Sequence, residues 1–179
     1  MEQDTLQGKR DYAIFTLMVT CGLRTIEVSR ADIKDLGIVG GSPVLYVQGK
    51  GREEKTEYVK LEEHVEGAIR DYLAERGKAS PDAPLFVSLS NNSHEKRLTT
   101  RSISAIAKTA MQEAGYDSER LTAHSLRHTA VTISLLQGKD ITEVQQFARH
   151  ANINTTMIYN HALEKSRNSC SSAVAEAIF

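Results

Sequence analysis

One tyrosine and two histidines lie close together near the C-terminal end of the chain, in the stretch RHANINTTMIYNH at positions 149–161. The stretch is polar at its start and predicts a loop that leads into a helix, with Tyr159 at a half-exposed position beside His150 and His161. A tyrosine in such a place is either a packed core residue or a nucleophile whose phenol oxygen attacks a substrate. The stretch alone leaves both interpretations open.

A second candidate cluster is HSLRH at positions 124–128. His124 and Arg127 lie three residues apart on a predicted helix, so they share a face and could hold an anion such as a phosphate. The alternative is that His124 caps the helix and Arg127 forms an ion pair. His124 and His128 also have the spacing of zinc ligands, but Ser125 stands where His-Glu-x-x-His hydrolases have their glutamate. With no further ligand nearby in sequence, a zinc hydrolase is disfavoured.

Two more cationic residues occur at places where a side chain could reach a ligand. Arg24 follows an apolar helix and a glycine, and Glu27 could either form a structural ion pair with it or orient it into a cleft. Lys50 lies between two glycines in GKGREEK, a predicted hairpin loop. Glycines let a backbone approach a ligand closely, so this lysine is either a solvated turn residue or a proton donor to a substrate oxygen.

The composition limits the class of protein. The 179 residues, 40% of them apolar and 25% charged, predict one globular domain with a sizeable core. No apolar run is long enough to span a bilayer, and the isolated Cys21 and Cys170 favour a reducing, cytoplasmic setting. The net charge of −1 leaves a polyanionic partner undecided. Six basic residues between Lys96 and Arg127, against three acidic ones, are most simply a solvated face.

Helices are predicted wherever apolar residues recur at helical spacing. The segments are RDYAIFTLMVTCGLR, TIEVSRADI, EEHVEGAIRDYLAERG, SISAIAKTAMQEAG, HSLRHTAVTISLLQG, DITEVQQFARH, a helix through Tyr159 and a final one in SSAVAEAIF. Asp140 followed by Glu143 is a capping-box pattern. PVLYVQ and TEYVKL predict a β-hairpin, and LFVS predicts one further strand. The expected fold is therefore α+β and mainly α-helical, with a small antiparallel sheet packed beside a helical core.

Six of these residues occur in an order that resembles the catalytic domain of the tyrosine recombinases, the family of phage and transposon integrases: Arg24, Lys50, His124, Arg127, His150 and Tyr159. The stretches that carry the resemblance are CGLRTIEVSRADI, VQGKGREEKTEYVKL and LTAHSLRHTAVTISLLQGKDITEVQQFARHANINTTMIYNH. It extends from about Gly8 to about Ala162, nearly the whole chain.

The resemblance implies that the chain breaks and rejoins DNA without a metal or a cofactor. Tyr159 is the implied nucleophile, which attacks a backbone phosphate, forms a 3′-phosphotyrosine link and releases a 5′-hydroxyl. A second 5′-hydroxyl then reverses the step on a new strand. Lys50 is the implied acid that protonates the departing 5′-oxygen.

The resemblance also assigns roles to the other matched residues. Arg24 and Arg127 would hold the non-bridging phosphate oxygens and stabilise the charge of the transition state. His124 would assist proton transfer from the tyrosine, and His150 would donate a hydrogen bond to the phosphate. Glu27 would fix the position of Arg24.

The implied partner is double-stranded DNA that carries a recombination site, and the full-length protein would form a homotetramer on it. Most family members have a separate N-terminal DNA-clamping domain, and this chain begins just before the first helix of the catalytic domain. Residues 1–179 are therefore expected to be the catalytic domain alone. Residues 165–179 are expected to hold a C-terminal helix that docks into a neighbouring subunit or folds back on its own domain.

The implied activity is integration or excision of a mobile element, in the cytoplasm and of bacterial or phage origin. Two alternatives remain open. The chain could be a catalytically silent DNA-binding fragment of the same fold. It could also relax DNA in the manner of a type IB topoisomerase.

Overall fold

The computed structural model describes residues 1–48, 54–167 and 170–178. The chain divides into two compact units, an N-terminal unit of Met1–Ala130 and a C-terminal unit of Val131–Phe179. Each unit has its own cluster of buried apolar side chains.

The first helix is the centre of the N-terminal unit. The helices of this unit are α1 (Leu6–Cys21), α2 (Thr25–Arg30), α3 (Glu63–Arg76) and α4 (Thr100–Glu113). α1 packs against α3 and α4, and its Ile14, Leu17 and Met18 are fully buried, as its nearly continuous apolar sequence predicts. Gly22 ends α1 in the left-handed conformation with a φ of 59°, which turns the chain sharply before α2 begins.

A three-stranded antiparallel sheet lies beside these helices in the order β1-β2-β3. The strands are β1 (Leu36–Val39), β2 (Ser42–Val47) and β3 (Glu57–Lys60), and a short 3-10 helix, Ile33–Asp35, precedes β1. In the central strand, Leu45 pairs with Leu36 of β1 on one side and with Val59 of β3 on the other. The predicted hairpin between PVLYVQ and TEYVKL is therefore confirmed as β2 and β3.

Two details of the sheet differ from the sequence prediction. LFVS does not form a strand, because Leu85 and Phe86 bury their side chains in an irregular segment that contributes only isolated bridges at Pro84 and Val87. β1 was not predicted, although Gly40 and Gly41 have φ values of 56° and 79°. Two glycines with positive φ between apolar runs are the usual signal for a two-residue hairpin turn.

The C-terminal unit is helical. Its helices are α5 (Ala123–Leu136), which begins in the N-terminal unit, α6 (Ile141–Ala148), α7 (Ile153–Arg167) and α8 (Cys170–Ile178). α6 packs against α7. The Asp140 side chain accepts the backbone N–H of Thr142 and so caps α6 as predicted, while the Glu143 carboxylate lies 3.2 Å from Lys139 Nζ. The described side chains of α8 are exposed.

The architecture confirms the predicted fold class, which is mainly helical with a small antiparallel sheet. Among the described residues, no helix combines the length and the hydropathy that a bilayer crossing requires.

Candidate active site

Arg24 is held in place by a buried carboxylate one helical turn away. It stands at the N-cap of α2, where Glu27 Oε2 accepts its backbone N–H at 2.7 Å. Glu27 Oε1 accepts a hydrogen bond from Arg24 Nη1 at 2.9 Å. The Glu27 side chain is fully buried, whereas that of Arg24 is 30% exposed. Glu27 thus orients the Arg24 guanidinium from its buried side, and the guanidinium still reaches the surface.

Arg127 is anchored to the same turn of backbone. Its side chain is almost completely buried, and Nη1 donates a hydrogen bond of 2.6 Å to the carbonyl oxygen of Gly22. Gly22 is the residue that ends α1, two positions before Arg24. The N-terminal unit therefore brings the side chain of Arg127 to the segment that carries Arg24, although the two are far apart in sequence.

His124 lies in the first turn of α5 and is exposed. At the start of this helix, the Ser125 hydroxyl accepts the backbone N–H of Thr122 at 3.0 Å. The ring of His128 lies edge-on with its centroid 6.3 Å from that of His124. Burial and the neighbouring His124 both lower the pKa of His128, which favours its neutral form.

His150 and Tyr159 lie side by side in the C-terminal unit. Their ring centroids are 6.2 Å apart and the rings are inclined by 26°. His150 Nδ1 lies 2.9 Å from the hydroxyl oxygen of Thr156, which is fully buried. Arg149, in the left-handed conformation at the end of α6, turns the chain so that His150 faces α7. Thr156 therefore fixes the orientation of the imidazole.

Tyr159 is more buried than its sequence context predicts. Only 8% of the residue is exposed, and it belongs to an apolar cluster with Val131, Leu135, Val144 and Ala148. The prediction of a half-exposed position is therefore wrong. The Tyr159 ring packs in the core of the C-terminal unit. One side chain can pack through its ring and still act as a nucleophile through its hydroxyl oxygen.

The structure thus brings five of the predicted residues together in two groups, one in each unit, whereas the ring contact described for His124 is with His128. Arg24, Glu27 and Arg127 are joined through the backbone around Gly22, and His150 pairs with Tyr159. Lys50 lies outside the described residues. Thr156 and the carbonyl of Gly22 were not predicted from the sequence, because both are partners of a candidate site residue rather than reactive groups. In the described part of the chain, no group of three or more His, Cys, Asp or Glu side chains could hold a metal ion.

Comparison with known sequences gives the class of protein that this fold and this site define. A model of the phage integrase family matches residues 1–166. The tyrosine recombinase XerC of Caldanaerobacter subterraneus is 35% identical over 154 residues, which is 86% of this chain and 41% of that protein. A tyrosine recombinase of Synechococcus elongatus is 30% identical over 177 residues, 98% of this chain and 54% of that protein.

Solved structures agree with these sequence matches. XerH recombinase in a post-cleavage complex with its palindromic difH substrate has a TM-score of 0.79 at 26% identity, over 98% of this chain and 48% of XerH. XerA recombinase has a TM-score of 0.70 at 30% identity, over 87% of this chain and 54% of XerA. The chain belongs to the phage integrase family, as its sequence predicts, and spans about half the length of these relatives.

Proposed function

We propose that this chain is the catalytic part of a site-specific DNA recombinase, which cleaves and rejoins DNA strands for the integration or excision of a mobile element. In the cleavage step, the oxygen of Tyr159 attacks a backbone phosphorus. A bond from the tyrosine oxygen to phosphorus forms and the bond from phosphorus to the 5′-oxygen breaks. The tyrosine proton passes to a base, and an acid donates a proton to the departing 5′-oxygen. Because the phosphodiester energy is kept in the covalent link, rejoining needs no nucleotide cofactor.

The observation that carries the proposal is the fixed arrangement around Gly22. An in-line attack concentrates negative charge on the non-bridging oxygens, and preorganised cations stabilise that charge best when they do not have to reorient. Arg127 is buried and tied to the Gly22 carbonyl, and Arg24 is oriented by the buried Glu27. Two arginines constrained in this way suit a phosphodiester better than a solvated face would.

The pairing of His150 with Tyr159 supports the proposed role of the tyrosine as nucleophile. A phenol is a weak nucleophile at neutral pH and needs a base or a hydrogen-bond acceptor nearby. We assign His124 to proton transfer from Tyr159 and His150 to a hydrogen bond with the phosphate, with Thr156 holding the His150 ring. Lys50 is assigned to protonation of the departing 5′-oxygen.

The proposed partner is double-stranded DNA, and the proposed assembly is a homotetramer in the full-length protein. The relative XerH was crystallised with its difH substrate, which supports DNA as the partner here. Val174 and Ile178 of α8 are 56% and 67% exposed, as expected of a helix that docks on a second copy of the chain. The relatives are bacterial, which supports a bacterial or phage origin and a cytoplasmic place of action.

A suicide substrate tests the proposed chemistry. The DNA duplex carries a nick next to the cleavage site, so that the released short strand diffuses away and the covalent protein–DNA adduct accumulates. We expect the unsubstituted chain to form the adduct in the presence of EDTA. We expect Tyr159→Phe to abolish the adduct and to leave DNA affinity within about twofold, because only one oxygen is removed.

Adduct formation is measured by denaturing gel electrophoresis, and DNA affinity by fluorescence anisotropy. Tyr116→Phe is the matched control, because this tyrosine is 65% exposed and lies outside the candidate site. An adduct that persists in Tyr159→Phe, or one that EDTA prevents, contradicts the proposal. DNA binding without any adduct in the unsubstituted chain would identify the silent fragment, and DNA relaxation without strand exchange would identify topoisomerase-like activity.

A further inference from the structure

The backbone of His150, between α6 and α7, is held at two points by one residue of α6. Its N–H donates to the carbonyl oxygen of Gln145 at 3.1 Å, and its carbonyl oxygen accepts a hydrogen bond of 3.1 Å from Gln145 Nε2. Arg149, in the left-handed conformation, ends α6 directly before it. With the backbone held in this way, the main remaining freedom of His150 is rotation of its side chain.

That rotation is restricted by a buried hydroxyl group in the first turn of α7. The hydroxyl oxygen of Thr156 lies 2.9 Å from His150 Nδ1, and the threonine is fully buried. In the part of the chain that the structure describes, this is the only hydrogen bond of the Thr156 hydroxyl. The hydroxyl and Nδ1 therefore have to satisfy one another.

The burial of Thr156 determines which of the two groups donates. A buried hydroxyl group needs an acceptor for its proton, and a neutral imidazole has one nitrogen with a proton and one without. If Nδ1 carried the proton of the neutral ring, it would donate to the threonine oxygen, and the hydroxyl proton would be buried without an acceptor. The contact therefore favours donation from Thr156 to an unprotonated Nδ1, which places the ring proton on Nε2.

The neighbouring side chains are compatible with this arrangement. The ring of Tyr159 is stacked on that of His150, and a stacked ring contacts the face of an imidazole rather than its nitrogens. Arg149, the adjacent cation, donates through Nη1 to the carbonyl oxygen of Phe147 at 2.8 Å. Tyr159 and Thr156 thus hold the imidazole through its face and through Nδ1.

We infer that Thr156 is a positioning residue for the recombination reaction, because its hydroxyl selects the tautomer of His150 in which Nε2 carries the proton and can donate it in a hydrogen bond to the phosphate. The inference rests on the proposed function, in which His150 donates that hydrogen bond. A neutral histidine can donate from Nε2 in only one of its two tautomers. Thr156 thus keeps a donor at Nε2 without a charge on the ring.

Nuclear magnetic resonance of the complete chain, labelled with 15N at histidine, measures the tautomer directly. Long-range 1H–15N correlation spectra distinguish a protonated ring nitrogen from an unprotonated one, and the His150 signals are identified by their loss in His150→Ala. At about pH 8, where a histidine of ordinary pKa is neutral, we expect a proton on Nε2 in the unsubstituted chain and in Thr156→Ser, which keeps the hydroxyl. We expect a mixture of tautomers in Thr156→Val, which keeps the shape and removes the hydroxyl.

Cleavage of the suicide substrate measures the consequence for the reaction. We expect Thr156→Val to cleave about fivefold more slowly than the unsubstituted chain at about pH 8, but only about twofold more slowly at about pH 5.5. The loss shrinks because an imidazolium ring carries protons on both nitrogens and no longer depends on Thr156 for a donor at Nε2. Other histidines titrate in the same range, so each variant is compared with the unsubstituted chain at the same pH. Thr156→Ser should recover most of the rate.

Thr155→Val is the matched control, because it makes the same substitution one residue earlier in α7, at an exposed position. We expect it to leave the tautomer of His150 and the cleavage rates unchanged. If Thr156→Val does not fold, the spectrum of the unsubstituted chain decides, because it requires no substitution.

A proton on Nδ1 of neutral His150 in the unsubstituted chain, or a mixture of tautomers there, overturns the inference. An equal loss of rate at both pH values in Thr156→Val also overturns it, since the hydroxyl would then act through packing alone. His150→Ala separates these failures from a failure of the proposed function. If His150→Ala is slowed and Thr156→Val is not, only the positioning role is wrong. If His150→Ala cleaves at the unsubstituted rate, the proposed role of His150 is wrong and the inference falls with it.

Discussion

At the scale of single residues, the fully buried Glu27 has the most demanding position. A buried carboxylate is stable only when its charge is paired and its oxygens accept hydrogen bonds. Glu27 meets both conditions by accepting the backbone N–H and the guanidinium of Arg24. These hydrogen bonds stabilise the buried charge and also orient the Arg24 guanidinium.

Glu27→Ala is expected to lower the free energy of unfolding by about 2 kcal/mol. Loss of one partner of a buried ion pair costs about 3–5 kcal/mol, and the partial exposure of Arg24 reduces the penalty here. Glu62→Ala is the control, because it removes an ion pair with Lys60 that is mostly exposed and contributes at most about 1 kcal/mol. Urea unfolding measures both values. Equal values for the two variants would show that the burial of Glu27 has no energetic role.

Residue types and their order predicted more of the candidate site than any local pattern did. Tyr159, His150, Arg24 and Arg127 were identified through the resemblance to a family. Neither the partner of Arg127 nor that of His150 was predicted. The Gly22 carbonyl is a backbone atom and depends on how α1 ends, and Thr156 depends on the turn made at Arg149. Such contacts follow from the three-dimensional path of the chain and leave no signal in the spacing of residues.

At the scale of elements, helices were predicted well because their apolar stripes have a strong period. The predicted stripe of α4 is buried at Ile103, Ala107, Ala110 and Met111. Short strands were predicted less well. LFVS has strand composition, but its apolar side chains are buried without a neighbouring strand to complete a ladder. β1 is half-buried and contains a glycine, so its own residues do not predict a strand. The signal for this strand is the two-glycine turn that follows it.

DNA binding is best tested at the start of α4. Some side chains of the basic cluster between Lys96 and Arg127 are held by contacts within the protein, and others are exposed. Arg97 is held by Asp32, and Lys108 donates to the backbone carbonyls of Ser118 and Leu121. In the described part of the chain no acidic group pairs with Lys96 or Arg101, and both are exposed. Arg101 lies in the first turn of α4, which has no acidic residue.

Lys96→Ala with Arg101→Ala is expected to weaken DNA binding in a salt-dependent way. Each cation that contacts a phosphate contributes about 1 to the slope of log affinity against log salt concentration. The double variant should therefore lose about 2 from this slope, measured by anisotropy titrations at several salt concentrations. Lys78→Ala removes an exposed lysine outside the cluster and should leave the slope unchanged. An unchanged slope in the double variant would remove this surface from the DNA contact.

At the scale of the whole molecule, the exposed helix α8 offers apolar side chains to a partner. Val174 and Ile178 lie four residues apart on one face and are exposed, whereas Glu176 lies on the opposite face. Apolar side chains presented together on an otherwise exposed helix are suited to a protein partner. A second copy of the chain is the partner that the proposed tetramer supplies.

Val174→Ser with Ile178→Ser is expected to reduce self-association on DNA at least about tenfold. Each substitution removes burial of an aliphatic side chain worth about 1.5–3 kcal/mol when complete. Sedimentation of protein–DNA complexes measures the number of copies bound, and Glu176→Ser is the control on the opposite face. Assembly that is equal in the double variant and in the unsubstituted chain would show that α8 is not the docking element.

The hydrogen bond from Arg127 to Gly22 joins positions that are 105 residues apart in the chain. During synthesis on the ribosome, the first arginine emerges long before the second, and the anchor at Gly22 stays unoccupied until α5 has been translated. Incomplete nascent chains and early termination products therefore lack the paired cations. Under the proposed function, an incomplete chain cannot cleave the chromosome, because strand scission needs the paired cations of the N-terminal unit and also Tyr159, which is translated later still.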